Sequence, residues 1–441
     1  MMGRSNGTAE TGRTAGQCLL SVAAMVLALM ATPPVDAQVP IQVLDLGVGD
    51  STTPDIAFDH DDQIVVSYRH AGEDALKLAR GSDCTLISTL YDLGQPGRTS
   101  SVAIDSLGFP NIVHFSANDM PGEGLRYTLD GGALFGVSTV NITPDHAGYV
   151  PVFDLDSVDR PFVVYRRGPS SAPWFAFFDI PSGQWASEVI PGPDLAGSTD
   201  DRFVTIATDS QDRPVVAYFD TEDNVVVATL SAGGWSFRSH EIGSSPSADD
   251  SLSLAFDTVD APHVTHAVGG TIEVLRFGIL SVDTQTATTS GSPFIGPHAM
   301  AIDAGNHIRI VYADASDQSL YLAKNEYGWS STLIEAGTVD ATAGAAVALD
   351  SQGRWAVAYY DAVNDLLKAA GPDISSMVRG DLDCDGDLDI DDTAPFVLAL
   401  LDASAYAIAY EDCDINAGDF NCDGLVDGRD IQPFVRALLT N

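Results

Sequence analysis

Two segments near the C-terminus place oxygen-bearing side chains at the spacing of a twelve-residue calcium loop. Loop positions 1, 3, 5, 9 and 12 carry such side chains in both segments, and Gly386 or Gly424 at position 6 allows the sharp bend. Position 7 contributes its backbone carbonyl. The expected ligands are Asp381, Asp383, Asp385, Asp387, Asp389 and Asp392 in the first loop, and Asp419, Asn421, Asp423, Leu425, Asp427 and Asp430 in the second. The sequence therefore predicts two bound Ca²⁺ ions.

The charge of these loops makes the cation part of the fold. Carboxylates about 4 Å apart repel one another by roughly 1–4 kcal/mol, depending on the effective dielectric. The carboxylates that the first loop directs inward do not stay together without a dication. We therefore expect this region to be largely disordered in the absence of calcium.

Each loop runs directly into one apolar helix. The segment from Thr393 to Leu401 is mirrored by the segment from Ile431 to Leu439, with Pro-Phe-Val at the same places. A duplicated loop-plus-helix unit in an exported chain resembles a type I dockerin, over about residues 380–440. The resemblance implies binding to a cohesin-like protein on a scaffold or cell surface, often within polysaccharide-degrading assemblies.

One departure from the dockerin pattern concerns the partner. In cellulosomal dockerins, loop positions 10 and 11 often carry a Ser-Thr pair that contacts cohesin. In this chain these positions hold Ile390 and Asp391 in the first loop, and Gly428 and Arg429 in the second. The calcium fold is unaffected by this difference, whereas the specificity for cohesin stays open.

The N-terminus and the composition predict an exported protein. Arg4 and Arg13 precede an apolar run from Cys18 to Met30, and a small-residue cleavage site ends at Ala37, which is the pattern of a signal peptide over 1–37. A retained anchor is the alternative, although the run is too short to span a bilayer comfortably. The net charge of −41, from 62 acidic and 21 basic side chains, repels phosphate backbones and anionic lipids and excludes nucleic acid as a favoured partner.

Signal removal leaves four cysteines, of which three lie in the C-terminal region: Cys84, Cys384, Cys413 and Cys422. Their spacing resembles no zinc site. Because an exported protein meets oxidising conditions, pairing is feasible, and we favour a Cys384–Cys413 disulfide without the sequence fixing it.

A sevenfold repeat occupies residues 41–371. Each unit contains a short apolar strand ending in Asp, a polar turn and a second apolar strand, and neighbouring units lie 46 to 53 residues apart. The Asp that ends the first strand of each unit is Asp59, Asp105, Asp156, Asp209, Asp257, Asp303 or Asp350. A Tyr or His follows nine residues after each of them: Tyr68, His114, Tyr165, Tyr218, His266, Tyr312 and Tyr359. Four short strands in a unit of about fifty residues indicate a β-propeller blade.

Seven units predict an all-β, seven-bladed β-propeller over 38–371. Unit seven stops after its third strand at Ala370, and the segment from Ile41 to Leu46 resembles a spare fourth strand that would close the ring. An open array or a β-sandwich is the alternative. The repeat resembles the Asp-Ser-x-Gly-x-Pro tandem repeats of bacterial secreted propellers, which implies a fold and no particular activity. A linker, 372–379, and a small all-α, EF-hand-like dockerin domain, 380–441, complete the predicted organisation.

The ring offers no nameable catalytic residue. Because the Asp at the end of the first strand occurs in seven equivalent copies, we interpret it as stabilising a turn. We interpret the Tyr and His side chains nine residues later as packing between blades. Asp220, Asp314 and Asp361 follow the second strand of their units two residues later and are expected along one rim. His263 and His266 form the one close His pair of the repeat, which would suit a metal or a general base, but we interpret it as packed.

Three functions are compatible with these features. The first is a non-catalytic secreted propeller that binds glycan or protein and is recruited through its dockerin-like module. The second is a glycoside hydrolase or another polysaccharide-degrading enzyme with a propeller catalytic domain. Two carboxylates about 5 to 9 Å apart beside stacked aromatic rings would favour that enzyme. The third is an adhesion or matrix protein attached by the same module.

Overall fold

The structure of the protein is a computed structural model, and it divides into two compact units, 1–39 and 40–441. The described residues are 39–49, 54–81, 86–91, 96–116, 124–130, 137–141, 149–166, 173–179, 181–192, 204–242, 251–268, 270–289, 295–340, 344–372, 374, 380–385, 388–410, 413–420 and 425–440. The predicted signal peptide, Cys84 and most of the predicted linker lie outside them.

Seven four-stranded antiparallel sheets form the blades, and each strand pairs with the next one in its sheet. Blade 1 contains β2 (Asp55–Phe58), β3 (Ile64–His70), β4 (Ala75–Arg80) and β5 (Leu86–Tyr91). Blade 2 contains β6 (Pro96–Ile104), β7 (Pro110–Ser116), β8 (Gly124–Asp130) and β9 (Val137–Asn141). Blade 3 contains β10 (Tyr149–Leu155), β11 (Pro161–Arg166), β12 (Pro173–Asp179) and β13 (Gln184–Val189).

The remaining blades follow the same order. Blade 4 contains β14 (Val204–Thr208), β15 (Pro214–Phe219), β16 (Asn224–Ser231) and β17 (Gly234–Glu241). Blade 5 contains β18 (Ser253–Phe256), β19 (Pro262–Val268), β20 (Thr271–Phe277) and β21 (Val282–Thr289). Blade 6 contains β22 (Ile295–Ile302), β23 (Ile308–Asp314), β24 (Ser319–Lys324) and β25 (Ser330–Glu335). Blade 7 contains β26 (Ala345–Leu349), β27 (Trp355–Asp361), β28 (Leu366–Ala370) and the N-terminal strand β1 (Ile41–Leu46).

The ring closes as the sequence predicts. β1 pairs antiparallel with β28, from Ile41 opposite Ala370 to Leu46 opposite Leu366. The first strands of successive blades contact one another in a complete circuit that returns from β26 to β2. The seven-bladed propeller is therefore confirmed, and the open array and the sandwich are not.

The repeated Asp residues cap the turn between the first and second strands. In all seven blades, Oδ1 of this Asp accepts the backbone N–H groups two and four residues later, at 2.8–3.1 Å. The residue three positions later has a left-handed backbone, with φ between 57° and 84°, which suits Asp, Asn or Gly. The structural interpretation of these carboxylates is confirmed.

The same turns connect neighbouring blades. The Ser or Thr after the capping Asp donates its backbone N–H to the left-handed Asp or Asn of the next blade, and a second side-chain bond accompanies it. Five seams carry this clamp: Ser106–Asp159, Ser157–Asp212, Ser210–Asp260, Thr258–Asn306 and, closing the ring, Ser351–Asp62. The other two seams have glycine at the accepting position, Gly108 and Gly353.

The Tyr and His side chains nine residues after the capping Asp are all buried in the blades, as predicted for packing residues. Tyr218 belongs to the core between blades 3 and 4, and Tyr68 to the core between blades 7 and 1. Burial of such large side chains contributes much of the stability of each blade.

The C-terminal region is a small helical unit. Its elements are a 3₁₀ turn (Ile390–Asp392), α1 (Thr393–Leu401), α2 (Ala403–Ala409), a second 3₁₀ turn (Ile415–Gly418) and α3 (Ile431–Thr440). The helices predicted after each loop are confirmed, whereas α2 was not predicted. The mirrored rings of Phe396 and Phe434 stack with centroids 4.0 Å apart in the centre of this core.

Candidate functional site

The first acidic loop brings three of its predicted ligands together. Asp381, Asp383 and Asp385 each offer one carboxylate oxygen, and these oxygens lie within 4.8 Å of one another. The backbone N–H of Asp385 bonds the carboxylates of Asp381 and Asp383 at 3.1 and 3.2 Å, which holds both side chains over the same turn. Loss of solvation, together with the charges of Asp385, Asp392 and Asp381, raises the pKa of Asp383.

The last residue of this loop orders its backbone. Asp392 is almost fully buried, and its carboxylate accepts the N–H groups of Leu382 at 2.6 Å, Asp383 at 3.2 Å and Asp389 at 2.8 Å. A carboxylate has about four lone-pair sites, so these bonds do not exhaust its capacity to bind a cation. Asp389 also accepts the N–H of Asp391 and caps the 3₁₀ turn.

The second loop repeats part of this arrangement. Asp430 is fully buried and accepts the N–H of Asp427 at 2.8 Å, as Asp392 accepts that of Asp389. Asp419 is also buried, and Leu425 is exposed. Arg429 pairs with Asp427 at 2.8 Å, and this contact lowers the pKa of Asp427.

Six residues of the predicted calcium loops lie outside the described residues: Gly386 and Asp387 in the first loop, and Asn421, Cys422, Asp423 and Gly424 in the second. The described ligands of the first loop are all carboxylates, the donors that Ca²⁺ prefers, and their spacing fits this ion. The ion itself would supply the positive charge that lets these carboxylates converge.

A disulfide joins Cys384 of the first loop to Cys413, with the two Cα atoms 5.8 Å apart. This is the pairing favoured from the sequence. It ties the loop to the segment before the second 3₁₀ turn. The hydroxyl of Tyr406 donates to the carbonyl of Leu382 at 2.8 Å and fastens the same loop to α2.

One aromatic-rich seam of the ring contains a cavity. It lies between blades 3 and 4, has a volume of about 310 Å³, and has Phe162, Phe175 and Phe177 among its lining residues. Trp235 packs edge-on against Phe175 at 5.3 Å, and its indole N–H donates to Glu188 at 2.8 Å. Alternation along β12 causes this arrangement, because Phe175 and Phe177 project towards blade 4 while Trp174 and Phe178 project to the opposite side.

Polar groups stand at the edge of this aromatic cavity. Arg160, Arg213 and Asp212 line it, and Arg160 lies 4.7 Å above the ring of Phe162. Each arginine is paired with the capping Asp of its own turn, at 2.8 Å for Arg160 and 2.6 Å for Arg213. Ser157 holds Asp212 and lowers its pKa. The sequence alone did not predict this site, although the alternating aromatic run of β12 was a visible signal.

A second cavity, of about 240 Å³, lies at the seam between blades 7 and 1. Trp355, Phe58 and Ile374 line it together with Asp62 and Arg354. Ile374 follows the last strand of the ring and is buried in the core of this seam. Ile374, in the predicted linker, thus packs into the seam where the ring closes.

The other aspartates singled out in the ring, and His263, have structural partners. Asp220, Asp314 and Asp361 cap the turn between the second and third strands of their blades, and Asp361 also binds Lys368 at 2.6 Å. His263 bonds the carbonyl of Ala261 at 3.1 Å. The His263–His266 pair predicted to be packed is buried.

No helix among the described residues is long and apolar enough to cross a membrane.

Comparison with solved structures finds a similar fold in other proteins. The chain is similar to the BP39L lectin from Burkholderia pseudomallei (TM-score 0.52, 12% identity, covering 72% of this chain and 97% of the lectin). It is similar to an ulvan lyase of polysaccharide lyase family PL25 (TM-score 0.50, 11% identity, covering 76% and 95%). The Aleuria aurantia lectin, solved with Fucα1-6GlcNAc, matches with a TM-score of 0.48 and 13% identity, covering 67% and 99%. The sequence matches no protein-family model and no curated protein. At these identities the likeness extends to the propeller fold alone.

Proposed function

We propose that this is an exported carbohydrate-binding propeller, attached to a scaffold or cell surface through a calcium-loaded, dockerin-like C-terminal module. The aromatic cavity between blades 3 and 4 supports carbohydrate binding. The acidic loops support attachment through the C-terminal module. The similar structures described above with TM-scores of 0.52 and 0.50 are a lectin and a polysaccharide lyase, which supports a carbohydrate as the class of ligand.

The cavity has the composition of a sugar site. The C–H faces of a pyranose pack on aromatic rings, and Phe177 is a half-buried ring facing the cavity. Arg213 and Asp212 offer hydrogen-bond donors and acceptors at its edge, where ring hydroxyls would lie. Because each arginine is already neutralised by its own Asp and the chain carries a net charge of −41, an uncharged glycan is the favoured ligand.

Binding is preferred to glycan cleavage because of how the carboxylates are used. General acid–base hydrolysis needs two carboxyl groups free to face one bond. At the cavity, the carboxylates of Asp156 and Asp209 serve turn caps and arginine pairs, and Asp212 accepts two bonds from Ser157. A polysaccharide-degrading activity is the outcome that would replace this proposal.

The test compares two neighbouring residues of the same type. Phe177→Ala removes a ring that faces the cavity, whereas Phe178→Ala removes an equally half-buried ring from the opposite side of the same strand. Wild-type protein is applied to a glycan array, and the best glycan is then titrated against all three proteins. We expect Phe177→Ala to weaken binding at least about tenfold and Phe178→Ala to leave it unchanged.

Three outcomes would contradict glycan binding at this seam. They are the absence of any retained glycan, equal losses in both variants, and release of shortened products from the bound glycan. The last outcome would identify an enzyme.

The docking half is tested separately, with immobilised cohesin domains and full-length protein in calcium or in chelator. Ile390 and Arg429, at loop positions 10 and 11, are 70% and 65% exposed and thus available to a partner. We expect the wild type to bind cohesin only in calcium. The Ile390→Ser variant should bind a different set of cohesins. Binding that persists in chelator, or no binding to any cohesin tested, would remove the docking function while leaving the glycan proposal untouched.

A further inference from the structure

The same three-residue arrangement occurs in three seams between blades, with different residue types. It consists of a residue on the fourth strand of one blade, the buried Tyr or His of the next blade, and the residue opposite that Tyr or His on the third strand of the next blade. Between blades 6 and 7, Tyr359 donates to Glu335 at 2.5 Å, and Lys368 binds Glu335 at 2.6 Å. Between blades 7 and 1, Tyr68 donates to Asp45 at 2.5 Å, and Lys77 lies 3.6 Å from Asp45. The fourth-strand side chain therefore reaches the ring of the following blade.

Between blades 4 and 5, the same three positions hold His240, His266 and Glu273. The register establishes the equivalence: His240 lies opposite Val225, as Glu335 lies opposite Leu320, near the start of the third strand. His266 lies opposite Glu273, as Tyr359 lies opposite Lys368. This seam thus replaces an acid, a phenol and an amine with two imidazoles and a carboxylate.

His266 is fully buried, and neither of its ring nitrogens has a hydrogen-bond partner. Its Nε2 lies 3.4 Å from Oε2 of Glu273, whose side chain is 33% exposed and so opens the position to solvent. Burial, followed by the charge of His240, lowers the pKa of His266 to about 4.

We propose that this seam binds a divalent transition-metal ion of the zinc class, with His266, Glu273 and His240 as its ligands. Ligands about 2.0–2.1 Å from a tetrahedral zinc ion lie roughly 3.3 Å apart, close to the separation of His266 and Glu273. Two imidazoles and one carboxylate suit zinc, whereas calcium prefers oxygen donors alone.

The ion draws the third ligand across the seam. Among the described residues, three candidate ligand atoms lie within 4.8 Å of one another only in the Asp381 loop, so the His240 imidazole must move inward to complete the set. Asp45 and Glu335 show that a side chain at its position reaches the neighbouring blade. The ion would then bridge blades 4 and 5.

His114, the other buried histidine nine residues after a capping Asp, provides an internal contrast. His114 lies opposite Arg126 rather than a carboxylate, and the charge of this arginine adds to burial in lowering the pKa of His114. A cation is repelled there. The proposal therefore concerns the combination at blades 4 and 5 and no other seam.

The test uses full-length protein saturated with calcium, so that the acidic loops are filled, and titrates it with Co²⁺ as a visible substitute for zinc. We expect one equivalent to give the intense absorption of a tetrahedral nitrogen- and oxygen-ligated ion, displaced by Zn²⁺. Glu273→Gln and His240→Asn should each weaken binding at least about tenfold, since even outer partners of a metal site contribute 10- to 100-fold. The double variant Asp381→Asn, Asp383→Asn should bind Co²⁺ as the wild type does.

Thermal unfolding separates metal binding from damage to the fold. Zn²⁺ should raise the ring transition of the wild type, but leave that of Glu273→Gln where it stands without zinc. No tetrahedral Co²⁺ signal, an unchanged affinity in both seam variants, or loss of the signal in the loop variant would each overturn the proposal.

Discussion

The ring and the C-terminal unit use aspartate in opposite ways. In the ring, the carboxylate of Asp209 is neutralised by groups of its own turn, two backbone N–H groups and Arg213 at 2.6–3.0 Å. In the C-terminal unit, Asp381, Asp383 and Asp385 converge on one another. The first arrangement is complete within the polypeptide, whereas the second would be completed by the Ca²⁺ that we propose. One residue type thus caps turns in the ring and forms an acidic cluster in the C-terminal unit.

Calcium removal should produce the largest difference between the two regions. Chelation is expected to melt α1 to α3, because binding at 1,000 times Kd contributes about 4 kcal/mol that is then lost. All five tryptophans belong to the repeat, so their fluorescence reports the ring alone, while helical circular dichroism reports the C-terminal unit. We expect the helical signal to fall and the fluorescence to stay constant.

A matched pair of variants checks that the ligands cause this effect. The double variant Asp381→Asn, Asp383→Asn should behave as if chelated, and Asp402→Asn, which alters the exposed cap of α2, should respond like the wild type. Helices that persist in chelator would abolish the contrast between the two regions.

Removing one capping carboxylate from the ring should have the next largest effect. Asp209→Ala leaves two N–H groups and Arg213 without their acceptor and should lower the free energy of unfolding of the ring by about 3 kcal/mol. Asp209→Asn keeps an oxygen for the N–H groups and should cost only about 1 kcal/mol. Denaturant unfolding followed by fluorescence measures both values, which should be the same with and without calcium.

Acid should destabilise the ring through its buried histidines. Burial and the charge of Arg126 lower the pKa of His114 to about 3, below the unfolded value near 6.5. Between these values the unfolded chain binds a proton that the folded ring does not, so the stability contributed above pH 6.5 is lost as the pH falls. The loss is about 2 kcal/mol at pH 5. His114→Gln should flatten the pH profile by this amount, and a profile parallel to the wild type would contradict the assignment.

The smallest expected effect concerns the clamps between blades. Ser351→Ala removes one solvent-exposed hydroxyl bond to Asp62 at the closing seam, and we expect only a small decrease in the free energy of unfolding. Ser157→Ala removes the equivalent bond to Asp212 between blades 3 and 4, and we expect a similar cost. A much larger loss for Ser351→Ala would indicate that closure depends on this clamp. Neither substitution should change the calcium affinity of the C-terminal unit.

The sequence predicted the features that depend on residues close together in the chain. The capping Asp and the left-handed residue three positions later form one turn, so their spacing was sufficient to count seven blades. The acidic cluster of the first loop and the helices that follow the two loops are equally local. Ring closure was also visible, because Ile41 to Leu46 supply the strand that unit seven lacks.

The seam sites could not be predicted because each combines side chains from two blades. The cavity depends on Phe177 facing Arg213 and Asp212, more than thirty residues away. Sequence proximity was even misleading for His266: His263 stands beside it in the sequence but bonds Ala261, whereas the proposed metal seam joins His266 with His240 of the preceding blade.

The closing strand has a consequence for how the protein is made. Within the ring, β1 is the first strand to be synthesised and its partner β28 is the last, so blade 7 cannot assemble until the rest of the ring is present. The entropy of joining such distant segments grows only with the logarithm of their separation, so the equilibrium stability is little affected. The rate is affected, because contacts between remote segments slow folding. Until β28 arrives, β1 offers an unpaired edge to other chains, and a second copy of the protein could supply the missing partner.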